Sequence, residues 1–256
     1  MEQGSARTTA GVVREQGRLV LACGGYRSGS TLQYNLIGEY VERVNGGRRI
    51  GLLDPPEAAR LWRGLWGIVG AMGLAVAKSH HAVGGFQDFG GAERVWSELA
   101  ERGLIAPVYS VRDWRDVAYS MSRKFGRPLA ELFESSQWRE NLAHMEVWLA
   151  LGALVQRYED LVGDAAGSLE DMSHGLGLPW APEAAGEAAE AAGLAAQRAV
   201  TGRLAAGGTD PRHLVHWDHI ADPGGGAWRV AWDEEERELA REELAPLMER
   251  FGYEWD

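Results

Sequence analysis

Cysteine and lysine are nearly missing from this chain. Cys23 is the single cysteine among 256 residues. No internal disulfide can form, which fits a reducing compartment. Two lysines, Lys78 and Lys124, stand among 26 basic residues, and the others are arginines. With alanine and glycine so abundant, that bias points to a GC-rich, bacterial coding style rather than to a function. Positive charge is short overall: 26 cations against 37 carboxylates leave a net charge of −11. Such a balance argues against broad binding to nucleic acid or to an anionic membrane, which needs a basic surface. It leaves room for a local cationic pocket. Long apolar runs are also lacking. The opening "MEQGSARTTAGVVREQGR" has no apolar signal core. The stretch "LWRGLWGIVGAMGLAVA" is interrupted by Arg63 and short for a membrane span. The expectation is a cytoplasmic protein without membrane or nucleic-acid partners.

What is present reads as alternating strands and helices. Residues 1–17 are expected to be a loose tail, and residues 18–256 one domain. "RLVLACGG" is a short apolar run ending in glycines, hence a buried strand and a turn. In "STLQYNLIGEYVERV" the apolar positions Leu32, Leu36, Ile37, Tyr40, Val41 and Val44 have helical spacing. "GLAVAKSHH" and "IAPVYSVRD" read as further strands. "AERVWSELAERG", "WRDVAYSMSRKFG" and "SSQWRENLAHMEVWLALG" read as helices, the last with a serine cap. "ALVQRYEDLVGD" reads as a fourth strand and a turn, and "PEAAGEAAEAAGLAAQRAV" as an alanine-rich helix, either a lid or a stable surface element. "GGTDPRHLVHWDHIADPGGGAW" reads as an irregular loop, and "DEEERELAREELAPLMERFGY" as a closing amphipathic helix. This alternation predicts a single α/β domain, with a mostly parallel central sheet flanked by helices.

Three stretches carry chemistry. "GGYRSGST", Gly24 to Thr31, joins a strand to a helix, the geometry that offers backbone N–H groups and a helix N-terminus to an anion. A Walker loop would place lysine where Ser30 stands; the cation comes earlier, at Arg27. In "YSVRDWRDVAYS", Arg112 ends an apolar strand and Ser120 follows eight residues later. An arginine fork and a hydroxyl suit a dianionic phosphate. In "VAKSHH", strand alternation puts Lys78 and His80 on one face and His81 on the other. A lysine beside a histidine at a strand's carboxyl end suits a developing anion and a moving proton.

Together with "RYEDL", these stretches resemble a known family. "YRSGSTL" is similar to the 5′-phosphosulfate loop of sulfotransferases that use 3′-phosphoadenosine-5′-phosphosulfate (PAPS). "VRDWRDVAYS" is similar to their 3′-phosphate motif, "KSH" to their KTH segment, "RYEDL" to their YED turn, and "GGGAW" with the following helix to their C-terminal signature. The resemblance implies a P-loop-like phosphosulfate-binding loop. It also implies transfer of a sulfuryl group from PAPS to a hydroxyl or amine of a small-molecule acceptor, such as a secondary metabolite, with no metal required. It implies that Arg27, Ser28, Gly29, Ser30 and Thr31 hold the 5′-phosphosulfate. It places Leu32 where many members stack a tryptophan on adenine. Arg112 and Ser120 would bind the 3′-phosphate, and Tyr158 would lie near adenine. His80 would be the general base, with Lys78 and Arg27 stabilising the moving charge. The family's Arg-Lys-Gly is absent before "GGGAW", which leaves Arg212, His219 and Arg229 open to complete the 3′-phosphate clamp. In the family this region is a mobile loop over the acceptor site.

Rival readings follow from the same residues. A P-loop kinase or nucleotide hydrolase would need Mg²⁺ and the missing lysine. A non-catalytic adenosine-phosphate binder would keep the fold and be indifferent to His80. "HLVHWDH" spaces His213, His216 and His219 by three, which admits a zinc site on one helical face or histidines at the mouth of the active site. Among the tryptophans, Trp96, Trp138 and Trp148 fall in helical patterns and read as core. Trp62, Trp66 and Trp217 are candidates to line an acceptor pocket.

Overall fold

The computed structural model describes residues 18–53, 73–82, 92–217 and 225–255. The expected tail at 1–17, together with Trp62, Trp66 and His219, lies outside the described residues.

Five short strands build the sheet: β1 (Arg18–Gly24), β2 (Arg48–Leu52), β3 (Leu74–Ser79), β4 (Ile105–Val111) and β5 (Leu154–Arg157). Their order is β2-β3-β1-β4-β5, and every neighbouring pair is parallel. Strand β1 is central, with Leu19 level with Ala75 of β3 and with Ile105 of β4. The chain builds the β3–β2 side first and then crosses to the β4–β5 side. A crevice therefore opens at the carboxyl ends of β1, β3 and β4, where open α/β sheets bind ligands.

Helices cover both faces, which is why β1 reads as continuous apolar sequence rather than as an alternation. Val20 and Ala22 face helix α1 (Ser30–Asn45), whose Leu36, Ile37, Tyr40 and Val41 are buried with them. Leu19, Leu21 and Cys23 face the opposite side. There Trp96 of α2 (Ala92–Glu101) packs with Trp148 of α5 (Ser136–Ala150), and the two rings are 5.5 Å apart. Trp96, Trp138 and Trp148 are core residues, as their helical spacing predicts. A fully buried large apolar side chain contributes about 1.5–3 kcal/mol, so these two layers hold the sheet rigid beneath its loops. Cys23 is wholly buried in the middle of this core, and its thiol donates to the Val108 carbonyl at 3.2 Å. Burial pushes that thiol well above its usual pKa.

Local signals set the helix ends. Asp113 caps α3 (Trp114–Phe125) by accepting from the Arg115 N–H, and Ser135 caps α5 by accepting from the Trp138 N–H. The short α4 (Leu129–Phe133) lies between them. The closing helix, α11 (Glu234–Arg250), begins with a capping box of Asp233 and Glu236.

Several expectations are refined. Strand β2 is an additional edge strand; its partly exposed "RRIGL" carries two arginines and no apolar run. After β5 the chain enters α6 (Tyr158–Gly163) and α7 (Ala165–Leu176) rather than a turn. The alanine-rich stretch is two helices, α8 (Pro182–Ala192) and α9 (Leu194–Thr201), divided at Gly193. Ala185, Ala188 and Ala192 are buried in the cluster that contains α1. The stretch is therefore a packed surface element, and its small side chains allow close approach. The loop after α9 contains a two-stranded antiparallel ribbon, β6 (Thr209–Asp210) with β7 (Val215–His216), and then α10 (Trp228–Ala231). Among the described residues no helix is long and apolar enough to cross a membrane.

Candidate active site

The loop between β1 and α1 is held from two sides and closed by a bond of its own. The Ser110 hydroxyl at the end of β4 donates to the Ser28 carbonyl at 2.6 Å. The Ser28 hydroxyl closes the turn by donating to the Gly25 carbonyl at 2.9 Å. Asn141 of α5 accepts the Tyr26 N–H at 2.8 Å. Arg27 adopts φ 65° and Gly29 φ 91°, so two backbone units turn left-handed just before the helix. No described side chain caps α1. The first N–H groups of a helix carry partial positive charge and lack intrahelical partners. Here they end at the crevice beside Ser30 and Thr31, a geometry that suits an anion.

The sequence motifs meet around this loop. The Arg27 Nε donates to the Ser120 hydroxyl of α3 at 2.8 Å, although 93 residues separate them. The Lys78 ammonium, 5% exposed at the end of β3, donates to the Thr31 hydroxyl at 2.5 Å. The Nδ1 of His80 lies 2.9 Å from the Gly24 carbonyl. A carbonyl only accepts, so Nδ1 carries the hydrogen and Nε2 is the basic nitrogen. Arg112, at the end of β4, stacks its guanidinium 4.5 Å above the Tyr158 ring. That ring lies against Gly29, where a Cβ would come within 2.2 Å of it. Burial pushes the Tyr158 phenol up, and Arg112 pulls it back in part. Leu32 is buried in the same cluster as Tyr158. Arg27, Lys78 and Arg112 thus place three cations at the ends of three adjacent strands in a chain of net charge −11.

The geometry also separates residues that sequence could not. Strand β3 ends at Ser79, so alternation does not govern His81. Both imidazoles stand beside Tyr26, with ring centroids at 5.4 Å for His80 and 6.3 Å for His81. Arg212 reaches away to Glu39 and Glu42 on α1, at 3.3 and 2.8 Å. Arg229 instead lies against the Gly225–Gly226 turn: a Cβ on Gly226 would fall 2.7 Å from its guanidinium. That turn is fixed by Asp116 of α3, which accepts the Gly226 N–H at 2.7 Å. Trp217 is half-exposed. His213 pairs with Asp210 at 3.0 Å. Among the described residues no group of three or more His, Cys, Asp or Glu is placed to hold a metal ion.

Sequence reasoning missed Asn141 and His144. They lie three residues apart on one face of α5, both buried. Asn141 holds the Tyr26 N–H, and the His144 Nδ1 accepts the Ala82 N–H at 3.2 Å. One helix thus anchors the loop after β1 and the loop after β3. Two polar residues at helical spacing inside an otherwise apolar face were the available signal.

The sequence matches no protein-family model and no curated protein. Solved structures do match. The mouse sulfotransferase SULT7A1 complexed with PAP aligns over 91% of this chain and 84% of its own, with a TM-score of 0.62 and 15% identity. Retinol dehydratase in complex with androsterone and the inactive cofactor PAP aligns over 90% of this chain and 80% of its own, with a TM-score of 0.58 and 18% identity. Retinol dehydratase with retinol and PAP aligns over 90% and 81%, with a TM-score of 0.53 and 15% identity. A five-stranded parallel sheet, a loop-to-helix anion cradle at its central strand and these alignments lead to one conclusion: the chain has the sulfotransferase fold.

Proposed function

We propose that this protein is a PAPS-dependent sulfotransferase acting on a hydroxyl or amine of a small-molecule acceptor, in the cytoplasm. The observation that carries the reading is the convergence of Arg27, Lys78 and His80 on the uncapped start of α1, with Arg112 on the neighbouring strand. PAP in the structural relatives, and androsterone and retinol in retinol dehydratase, support the cofactor and the small acceptor. The lone, buried Cys23 suits a reducing compartment.

PAPS would supply the sulfuryl group. The residues that fit it are the N–H and hydroxyl groups of Ser28 to Thr31 for the 5′-phosphosulfate, and Arg112 with Tyr158 for the 3′-phosphoadenosine end. Arg229 is the cation we assign to complete that end. Fixed donors aimed at a charge that grows during transfer are the main catalytic lever, and each is worth roughly 100-fold or more. In this reading Arg27, braced by the Ser120 hydroxyl, and Lys78, braced by the Thr31 hydroxyl, are those donors. His80 takes the acceptor proton at Nε2, because the Gly24 carbonyl holds the other ring hydrogen. The acceptor oxygen or nitrogen then bears the sulfuryl group, and PAP leaves.

Calorimetric titration with PAP, beside ATP with Mg²⁺, tests the cofactor. The expected result is a PAP dissociation constant of about 1 µM or tighter, near −8 kcal/mol, with weak binding of ATP–Mg²⁺. Preference for ATP–Mg²⁺ would replace this reading with a nucleotide kinase or hydrolase.

A further inference from the structure

Asp116 has no part in the reaction described above, yet it occupies a pivotal place. It stands in the first turn of α3, four residues after Arg112, with its side chain only 8% exposed. One carboxylate oxygen is 3.7 Å from the Arg112 guanidinium. The other accepts the Gly226 N–H at 2.7 Å. Gly225 and Gly226 have φ 71° and 78°, and a Cβ on Gly225 would lie 2.8 Å from the carboxylate. The turn therefore uses glycines to lie against this one side chain. Arg229, with its guanidinium beside Gly226, is carried by the same turn. Burying a carboxylate costs free energy unless its partners return it. Burial indeed pushes the Asp116 carboxyl up, against the pull of Arg112. An apolar residue would avoid that cost but could neither accept the Gly226 N–H nor pair with Arg112, so the carboxylate is kept for those two partners.

We infer that Asp116 is the positioning residue of the 3′-phosphate subsite. It aims the Arg112 guanidinium from one side and holds the Gly225–Gly226 turn, with Arg229, on the other. The inference rests on the PAPS reading. Two walls that come from distant parts of the chain, the end of β4 and the segment before α10, are set at a fixed separation by one carboxylate. A 3′-phosphate would then meet both walls already in place, which is how preorganisation raises affinity.

The test compares PAP with adenosine 5′-phosphate, which lacks the 3′-phosphate, by calorimetry on wild type, Asp116→Asn and Asp116→Ala. Asp116→Asn keeps the shape and an acceptor for Gly226 and removes the charge, so it carries the test if Asp116→Ala fails to fold. In Asp116→Asn the preference for PAP over adenosine 5′-phosphate should fall about tenfold, the weight of one charge-assisted contact. Binding of adenosine 5′-phosphate should change less than about twofold. A purely structural role would weaken both ligands equally, and that result overturns the inference. So does tighter PAP binding, which would mean that the carboxylate repels the phosphate. A wild-type protein with no preference for PAP would overturn the cofactor assignment itself, a failure distinguishable from either.

Discussion

Gly29→Ala perturbs the anion loop at one atom, and the structure sets the size of the effect. Gly29 has φ 91°, and an added Cβ would sit 2.2 Å from Cδ2 of Tyr158, more than an ångström short of ordinary contact at 3.4 Å. An L-residue in a left-handed conformation costs about 1–2 kcal/mol. Forcing an extra carbon against a packed ring costs about 1–3 kcal/mol more. For a chain of this size each kcal/mol lowers Tm by about 2–4 °C, so the expected drop is on the order of 10 °C. The Tyr158 ring must also move, and it supports Arg112. PAP affinity should therefore fall along with stability. The two costs separate in a double-mutant cycle with Tyr158→Ala, read by urea unfolding. Removing the ring relieves the collision and leaves the backbone strain, so a coupling of about 1–3 kcal/mol is expected. If Gly29→Ala costs the same in both backgrounds, the ring is not the obstacle. If it costs under about 0.5 kcal/mol in the wild type, the backbone argument fails as well.

Three further predictions bear on the site and its frame. His80→Ala should lower turnover roughly 100-fold or more with PAP affinity nearly unchanged, and His81→Ala should do less; the reverse ranking in a sulfuryl-transfer assay would move the base to His81. Arg112→Ala should weaken PAP binding by about 1.5–3 kcal/mol and adenosine 5′-phosphate binding far less; equal losses by calorimetry would remove Arg112 from the 3′-phosphate subsite. Glu39 is opposed by burial, but its bonds to Arg43 and Arg49 win and hold its carboxyl below the usual range. Its folded pKa is thus the lower one. Its stabilisation is complete above the unfolded value of about 4.3 and fades as pH falls through the folded value. Glu39→Gln should lower stability at neutral pH and flatten the acid limb of the urea midpoint against pH; an unchanged acid limb would refute the assignment.

The parts of this molecule that could be read from sequence are those whose causes are local. Strand β1, its glycine turn and α1 follow from an apolar run, a cluster of small residues and a 3.6-residue period, all within Arg18 to Asn45. The cap at Ser135 is equally local. Contacts that depend on the path of the chain stayed hidden. Nothing near Arg27 announces Ser120, and nothing near Asp116 announces Gly226, 110 residues later. Strand β2 escaped notice because an exposed edge strand needs no apolar run. Alternation says nothing about His80 or His81, because β3 ends at Ser79 and both rings stand beside Tyr26. Asn141 and His144 carry no local sign of their role, and only the fold shows two loops resting on them. Of the cations left open for the clamp, tertiary position separates Arg212, which pairs with Glu39 and Glu42, from Arg229, which lies beside Gly226.

The solitary cysteine has a practical consequence. Cys23 sits one residue before the glycine turn, on the central strand, with no exposed surface and its thiolate disfavoured. Alkylating reagents attack thiolates, so modification must wait until the sheet parts at its middle. The labelling rate in native buffer is therefore a direct clock for opening of the strand that carries the anion loop. A ligand seated on that loop should slow the clock in proportion to its occupancy. Because no second native thiol competes, a cysteine introduced on the surface would be labelled first and alone, and fluorophore pairs could be attached without altering the core.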